Sequence, residues 1–171
     1  METNTAENEP RQFAALDLGS NSFHMVVAQE TADGQLVVVD RLKDSVRLAA
    51  GLDPEVGLTN EAQERALTCL THLGERIAEI PQVQVRAVGT NTLRKAKDAF
   101  SFLERAEKAL GHRIDVISGR EEARLIYRGV VRDVESPGCL LVVDIGGGST
   151  EVIIGEGQDP RQLDSLFMGC V

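Results

Sequence analysis

Tryptophan is missing from this chain of 171 residues, tyrosine occurs once, and aromatic residues make up only 4% of it. A surface that stacks successive bases of a single-stranded nucleic acid is therefore not expected. Histidine occurs three times, at His24, His72 and His112, with no HxxxH pair. Cysteine also occurs three times, at Cys69, Cys139 and Cys170, with no CxxC. Neither a zinc site nor a disulfide framework is indicated, and a reducing, cytoplasmic compartment fits scattered thiols of odd number. Basic side chains are outnumbered, 18 Lys and Arg against 27 Asp and Glu, for a net charge of −9. That balance argues against DNA as a partner. It leaves room for a small anion held by backbone amides and a cation. No apolar run approaches the roughly 20 residues of a membrane span. The opening METNTAENEP is too acidic and polar for a secretory signal, and residues 1–10 read as a solvated tail.

What is present is an ordinary globular composition, 42% hydrophobic and 26% charged. The length suffices for one domain, or one and a fraction, and a domain of about 150 residues buries roughly 70% of its unfolded surface. Short apolar runs at 13–16, 23–28 and 36–39, the last two split by Asp33-Gly34, predict three antiparallel strands. Apolar residues from Ala66 to Ile80 recur at helical spacing, so residues 60–80 predict a helix capped by Asn60 with Gln63 and closed by Pro81. A strand at 83–88, a helix at 92–110 broken near Asp98, a strand at 113–117 and a helix at 118–131 follow. After a turn at Ser136-Pro137-Gly138, strands are expected at 140–143, 151–154 and 165–168. The order βββαβαβα, followed by a new set of three strands, predicts a mostly parallel sheet covered by helices and then a restart.

The restart is an internal repeat. DLGSNSFHMVV at 17–27 matches DIGGGSTEVII at 144–154 with an offset of 127, pairing Asp17 with Asp144, Gly19 with Gly146 and Ser22 with Ser149. A carboxylate at the end of a buried strand can hold a hydrated Mg²⁺. The Gly- and Ser-rich turn after it lets backbone N–H groups approach phosphate oxygens without a Cβ in the way. Two such turns facing each other would clamp a phosphate chain from both sides. Plain hairpins with Asp-Gly turns are the alternative, but three glycines at 146–148 exceed what a hairpin needs.

Four stretches in order, DLGSNSFHM (17–25), GTNTLRKA (89–96), SGREEARLIY (118–127) and DIGGGSTE (144–151), resemble the exopolyphosphatase / guanosine pentaphosphate phosphohydrolase family of the actin-like ATPase and sugar kinase superfamily. The resemblance implies an α/β, ribonuclease H-like (actin-like) lobe whose mixed sheet holds three antiparallel strands and then βαβα units. The opening strands of a second lobe would follow. On that reading residues 11–128 form the first lobe and 129–171 an incomplete second one, because the family's chains continue well beyond Val171. It implies Mg²⁺-dependent hydrolysis of terminal phosphate from polyphosphate, or conversion of pppGpp to ppGpp, with homodimers in the complete chain. Glu121 would activate the attacking water. Asp144 would bind the metal, with Glu151 as a second carboxylate, and Asp17 would act through water or orient its loop. Asn21, Ser22, Gly146, Gly147, Gly148, Ser149 and Thr150 would line the phosphate loops, and Arg94 would meet a phosphate.

Each residue also has a structural reading. Ser118 and Glu121 form a capping box, so Glu121 could serve only the helix start. His24 occupies the repeat position of Glu151 and reads as structural. Arg120, Arg124, Arg128 and Arg132 recur every four residues, either as a solvated face or as a track for a polyanion. The absence of GxxxxGK[ST] excludes a P-loop, and without GxSxG a serine nucleophile is not indicated. Two other readings stay open at this point. One is an actin-like kinase that transfers phosphate to an acceptor. The other is an alarmone- or polyphosphate-binding fragment without turnover.

Overall fold

The computed structural model describes residues 10–53, 55–97, 99–134 and 138–171. The N-terminal stretch at 1–9, Asp98 and the Ser136-Pro137 part of the expected turn lie outside the described residues. The chain opens with β1 (Gln12–Leu18), β2 (Phe23–Glu30) and β3 (Leu36–Asp44). Gly34, in the left-handed region at φ 78°, makes the turn between β2 and β3. A short β4 (Leu52–Asp53) and β5 (Gly57–Leu58) follow, then α1 (Asn60–Ile77) and β6 (Val85–Gly89). Next come α2 (Asn91–Lys95), α3 (Ala99–Leu110), β7 (Ile114–Val116) and α4 (Gly119–Asp133). The last elements are β8 (Cys139–Ile145), β9 (Thr150–Glu156) and β10 (Asp159–Leu166).

The first sheet runs β3-β2-β1-β6-β7. β1, β2 and β3 are antiparallel, whereas β6 and β7 are parallel to β1. This is the mixed sheet expected of an actin-like lobe, with the helical crossovers that parallel pairing requires. One face of β1 and β2, carrying Ala14, Leu16, Leu18, Phe23, Met25 and Val27, is buried in a core shared with α1 and α3. The alternation of period two puts Asp17 and His24 on the opposite face. The two helices approach closely at Gly74, where a Cβ would lie 2.6 Å from the Leu110 carbonyl oxygen.

Thr59, not Asn60, caps α1: its Oγ1 accepts from Ala62 N at 3.4 Å, and Asn60 is already helical. Gln63 instead donates from Nε2 to Leu58 O at 2.8 Å, which ties the helix start to β5. β3 extends five residues past Val39, through DRLKD, because an edge strand tolerates charge on both faces.

The second sheet is β10-β9-β8, antiparallel throughout. Helix α4 packs on it, sharing a core of Ala123, Tyr127, Val142 and Ile153. Helix α4 thus makes its core contacts with the second sheet, while its Glu122 pairs with Arg94 on α2 and its Leu125 and Ile126 line a pocket with Val88 and Ile117.

Candidate functional site

The repeat survives as geometry. In the first hairpin Asp17 pairs with His24 and Leu18 with Phe23; in the second Asp144 pairs with Glu151 and Ile145 with Thr150. All four positions keep the offset of 127. The third strands extend the rows: His24 faces Lys43, and Glu151 faces Ser165. A flanking segment props each loop. Arg47 and Ala49 N–H groups donate to the Asn21 and Ser20 carbonyls at 2.7 and 2.8 Å. Cys170 and Val171 N–H groups donate to the Gly146 and Gly147 carbonyls at 3.0 and 3.1 Å. Backbone pairing thus leaves the loop conformations little freedom before any ligand arrives.

The two loops touch rather than face each other across a gap. A Cβ on Gly147 would lie 3.2 Å from Asn21 Cβ, and one on Gly148 would lie 2.3 Å from Asn91 Nδ2 and 3.0 Å from Ser20 Oγ. Asn91, at the start of α2, is buried, and Thr92 beside it donates from Oγ1 to Ser20 Oγ at 2.8 Å. The GTNT stretch therefore wedges against both loops. This contact is the physical reason for glycine at 147 and 148. The Asn91 Oδ1 atom is buried without a partner among the described residues.

Both loops line one recess of about 380 Å³, open to solvent. Asp17, Asn21, Ser22, Asp144, Gly146, Gly147, Gly148, Ser149 and Glu151, all expected at the site, line it. Three expected residues do not. Thr150 turns its Oγ1 to the Met168 carbonyl. Arg94 sits behind the wall, donating from Nη1 to Ile117 O at 2.8 Å and to Glu122 Oε2 at 2.9 Å. Glu121 lies outside the recess, forked onto Arg124 at 2.7 and 2.8 Å, and this pairing holds its carboxyl below the usual range. Ser118 Oγ accepts from Glu121 N at 3.2 Å, so the backbone half of the capping box forms while the carboxylate is taken by Arg124. Arg120, Arg128 and Arg132 are exposed and do not line the recess either.

The residue after Glu121 takes its place. Glu122 lines the recess, one helical step of about 100° further round α4. Burial raises its pKa, and the Glu151 and Asp17 charges add to the rise against the opposing hydrogen bond from Arg94. Asp17 is raised as well, first by desolvation in the recess and then by Asp144 and Glu151, while His24 opposes the shift. Glu151 is fully buried and accepts from Ser165 Oγ at 2.7 Å. Four carboxylates therefore share one recess, and the pattern in the sequence singled out three of them. Lys43, Thr90 and Cys170 line it too. Lys43 was hidden by its charged surroundings in DRLKD, and its register opposite His24 is the signal that reveals it.

Among the described residues, no three His, Cys, Asp or Glu side chains close on one point tightly enough to ligate an ion by themselves. Mg²⁺ does not need such a cage, since it keeps several waters and takes one or two carboxylates plus substrate phosphates. Burial raises the pKa of Asp17 and of Glu122, and neighbouring carboxylate charges add to both rises, so the donor set of this acidic recess fits a hydrated divalent ion. No described helix is long and apolar enough to cross a membrane.

Comparison with known proteins gives the family and the fold. The model of the Ppx/GppA phosphatase family matches residues 26–171. The chain is 52% identical over 159 residues to the guanosine-5'-triphosphate,3'-diphosphate pyrophosphatase of Aeromonas hydrophila, covering 93% of this chain and 32% of that protein. Among solved structures it is similar to an exopolyphosphatase from Cytophaga hutchinsonii, with TM-score 0.86, 30% identity, and coverage of 93% of this chain and 51% of that one. The Aquifex aeolicus member of the Ppx/GppA family matches with TM-score 0.81 and 31% identity, covering 94% of this chain and 52% of that one. The chain thus spans about a third of the length of its curated relatives. With the family model matched over most of its residues and the paired Asp-Gly hairpins in register, the chain belongs to the Ppx/GppA phosphatase family.

Proposed function

We propose that this chain carries the phosphate-binding and water-activating half of a phosphoanhydride hydrolase acting on the terminal phosphate of polyphosphate or of pppGpp. The observation that carries the reading is the meeting of two Asp-Gly loops and the Glu122 carboxylate in one recess. The backbone N–H groups of the two loops, apart from that of Gly146, which donates to Ser149 O at 2.9 Å, are suited to hold phosphate oxygens. Glu122 is the general base in this reading, in place of Glu121. Its raised pKa makes it a better proton acceptor, and Arg94 pins one carboxylate oxygen while the other has no partner among the described residues. A water between that oxygen and the terminal phosphorus would lose its proton to Glu122 as it attacks in line. The anhydride bond then breaks and orthophosphate leaves. Asp144, with Asp17 across the recess, would hold a hydrated Mg²⁺, which supplies neutralisation of charge on the phosphate oxygens. Phosphoryl chemistry of this kind rests mostly on positioning and electrostatics. The thiol pattern supports a cytoplasmic setting.

Phosphate release is measured from polyphosphate, pppGpp and ATP with Mg²⁺ present, using this chain and a form extended to the length of its curated relatives. Release from the first two but not from ATP is expected. Glu122→Gln is expected to lower turnover by about 10²–10⁴, the usual worth of a general base. Glu121→Gln, which loses only an exposed pairing, should change it little. The reverse ranking would return the base to Glu121. Consumption of ATP that depends on an added acceptor would favour a kinase.

A further inference from the structure

The two hairpins share a backbone and an aspartate, but their side-chain rows differ in sign. The second row reads Asp144, Glu151, Ser165, and the first reads Asp17, His24, Lys43. Among the described residues four carboxylates line the recess, and Lys43 is the single lysine or arginine that lines it. Lys43 has no ion pair among the described residues, although Asp40 on the same strand is paired with Arg76. It is exposed on the edge strand β3, at the rim, with His24 between it and Asp17.

We propose that Lys43, with His24 beside it, forms the cationic end of the recess and selects phosphate chains over single phosphates by holding phosphates behind the one that is cleaved. The inference rests on the reading of the recess as a phosphate-chain site and adds a direction to it. The asymmetry of the rows supplies that direction. A ligand that spans both hairpins meets carboxylates and any hydrated cation at the Asp144–Glu151 end. It meets a free ammonium at the other end. A mobile four-carbon stem with a compact charge suits successive, rotatable phosphates better than a fixed fork would. A monophosphate that fills only the Asp144 end never reaches Lys43. A chain of three phosphates does, and gains a charge-assisted contact.

Calorimetric titration with tripolyphosphate and with orthophosphate, in Mg²⁺, tests this on the chain and on the extended form. Lys43→Met should weaken tripolyphosphate about tenfold or more, as expected for one lost contact to a charged group. It should also flatten the salt dependence of binding and leave orthophosphate unchanged. Lys43→Arg should restore most of the affinity, and Arg76→Met, which removes a cation outside the recess, should bind tripolyphosphate as the parent does. Equal tripolyphosphate affinity in the parent and in Lys43→Met overturns the inference alone, and would leave Lys43 as a charge that blunts the β3 edge. A parent that binds no tripolyphosphate overturns the reading of the recess itself, and this inference with it.

Discussion

At the scale of single residues, the recess holds more negative charge than the chain neutralises. Asp17 shows the consequence for stability. Its carboxyl is pushed above the ordinary value of 3.8 by desolvation and by the Asp144 and Glu151 charges. A raised carboxyl pKa means that the folded chain binds more protons than the unfolded one between the two values. Its contribution is therefore fully present below the unfolded value and is lost as pH rises through the folded one. Asp17→Asn should accordingly melt higher than the parent at pH 7, and the gain should vanish as pH falls toward 4. Solvent access to the recess keeps the effect modest. Thermal melts across that range check it, and a gain that persists at pH 3 would mean that the amide helps by some other route. The neighbouring pair Glu121 and Glu122 shows where sequence reading stopped. The motif SGREEARL places both at a helix start, and the capping spacing draws attention to the first. Which of two adjacent glutamates faces the site is a matter of helix rotation, and rotation is set by Ala123 and Tyr127 packing on β8 and β9. That packing is a long-range fact which no local spacing contains.

At the scale of elements, the hairpins were legible and their contact was not. Alternating apolar residues around Asp-Gly, repeated at 127, led to the strands, their pairing partners and the two loops. That the loops touch, with the α2 start wedged beside them, depends on how β6 delivers Asn91 under Gly148. The third glycine is the test of this contact. Gly148→Ala would put a methyl group against the buried amide of Asn91, and overpacking of this sort typically costs about 1–3 kcal/mol. Shortening the opposing side chain should recover part of the loss, so Gly148→Ala combined with Asn91→Ala should be less destabilised than the sum of the single variants. Denaturant unfolding of the four proteins measures the coupling. Strict additivity would mean that Gly148 is needed for its backbone and not for the room it leaves.

At the scale of the molecule, the same offset that relates the two sites exposes a difference between the two lobes. Ala14, Leu16 and Leu18 on β1 are 2–3% exposed under α1 and α3, and their equivalents Leu141, Val143 and Ile145 on β8 are 51–66% exposed. In the first sheet β1 is also central, with β6 on its far side, whereas β8 is an edge. An apolar face beside an open strand edge is a surface that protein chains ordinarily cover, and exposed patches of this kind drive association. This chain at high concentration should therefore self-associate and bind an apolar fluorescent dye. Charge placed on that face by Leu141→Lys with Val143→Lys should suppress both. Neither substitution touches the α4 core, because Val142 and not its neighbours faces Tyr127. Sedimentation velocity and dye fluorescence report the two effects separately. If the doubly substituted chain associated as strongly as the parent, the contact would have to lie elsewhere, and the exposed run at Leu36 to Val39 on β3, an edge strand of the first sheet, would be the next place to substitute.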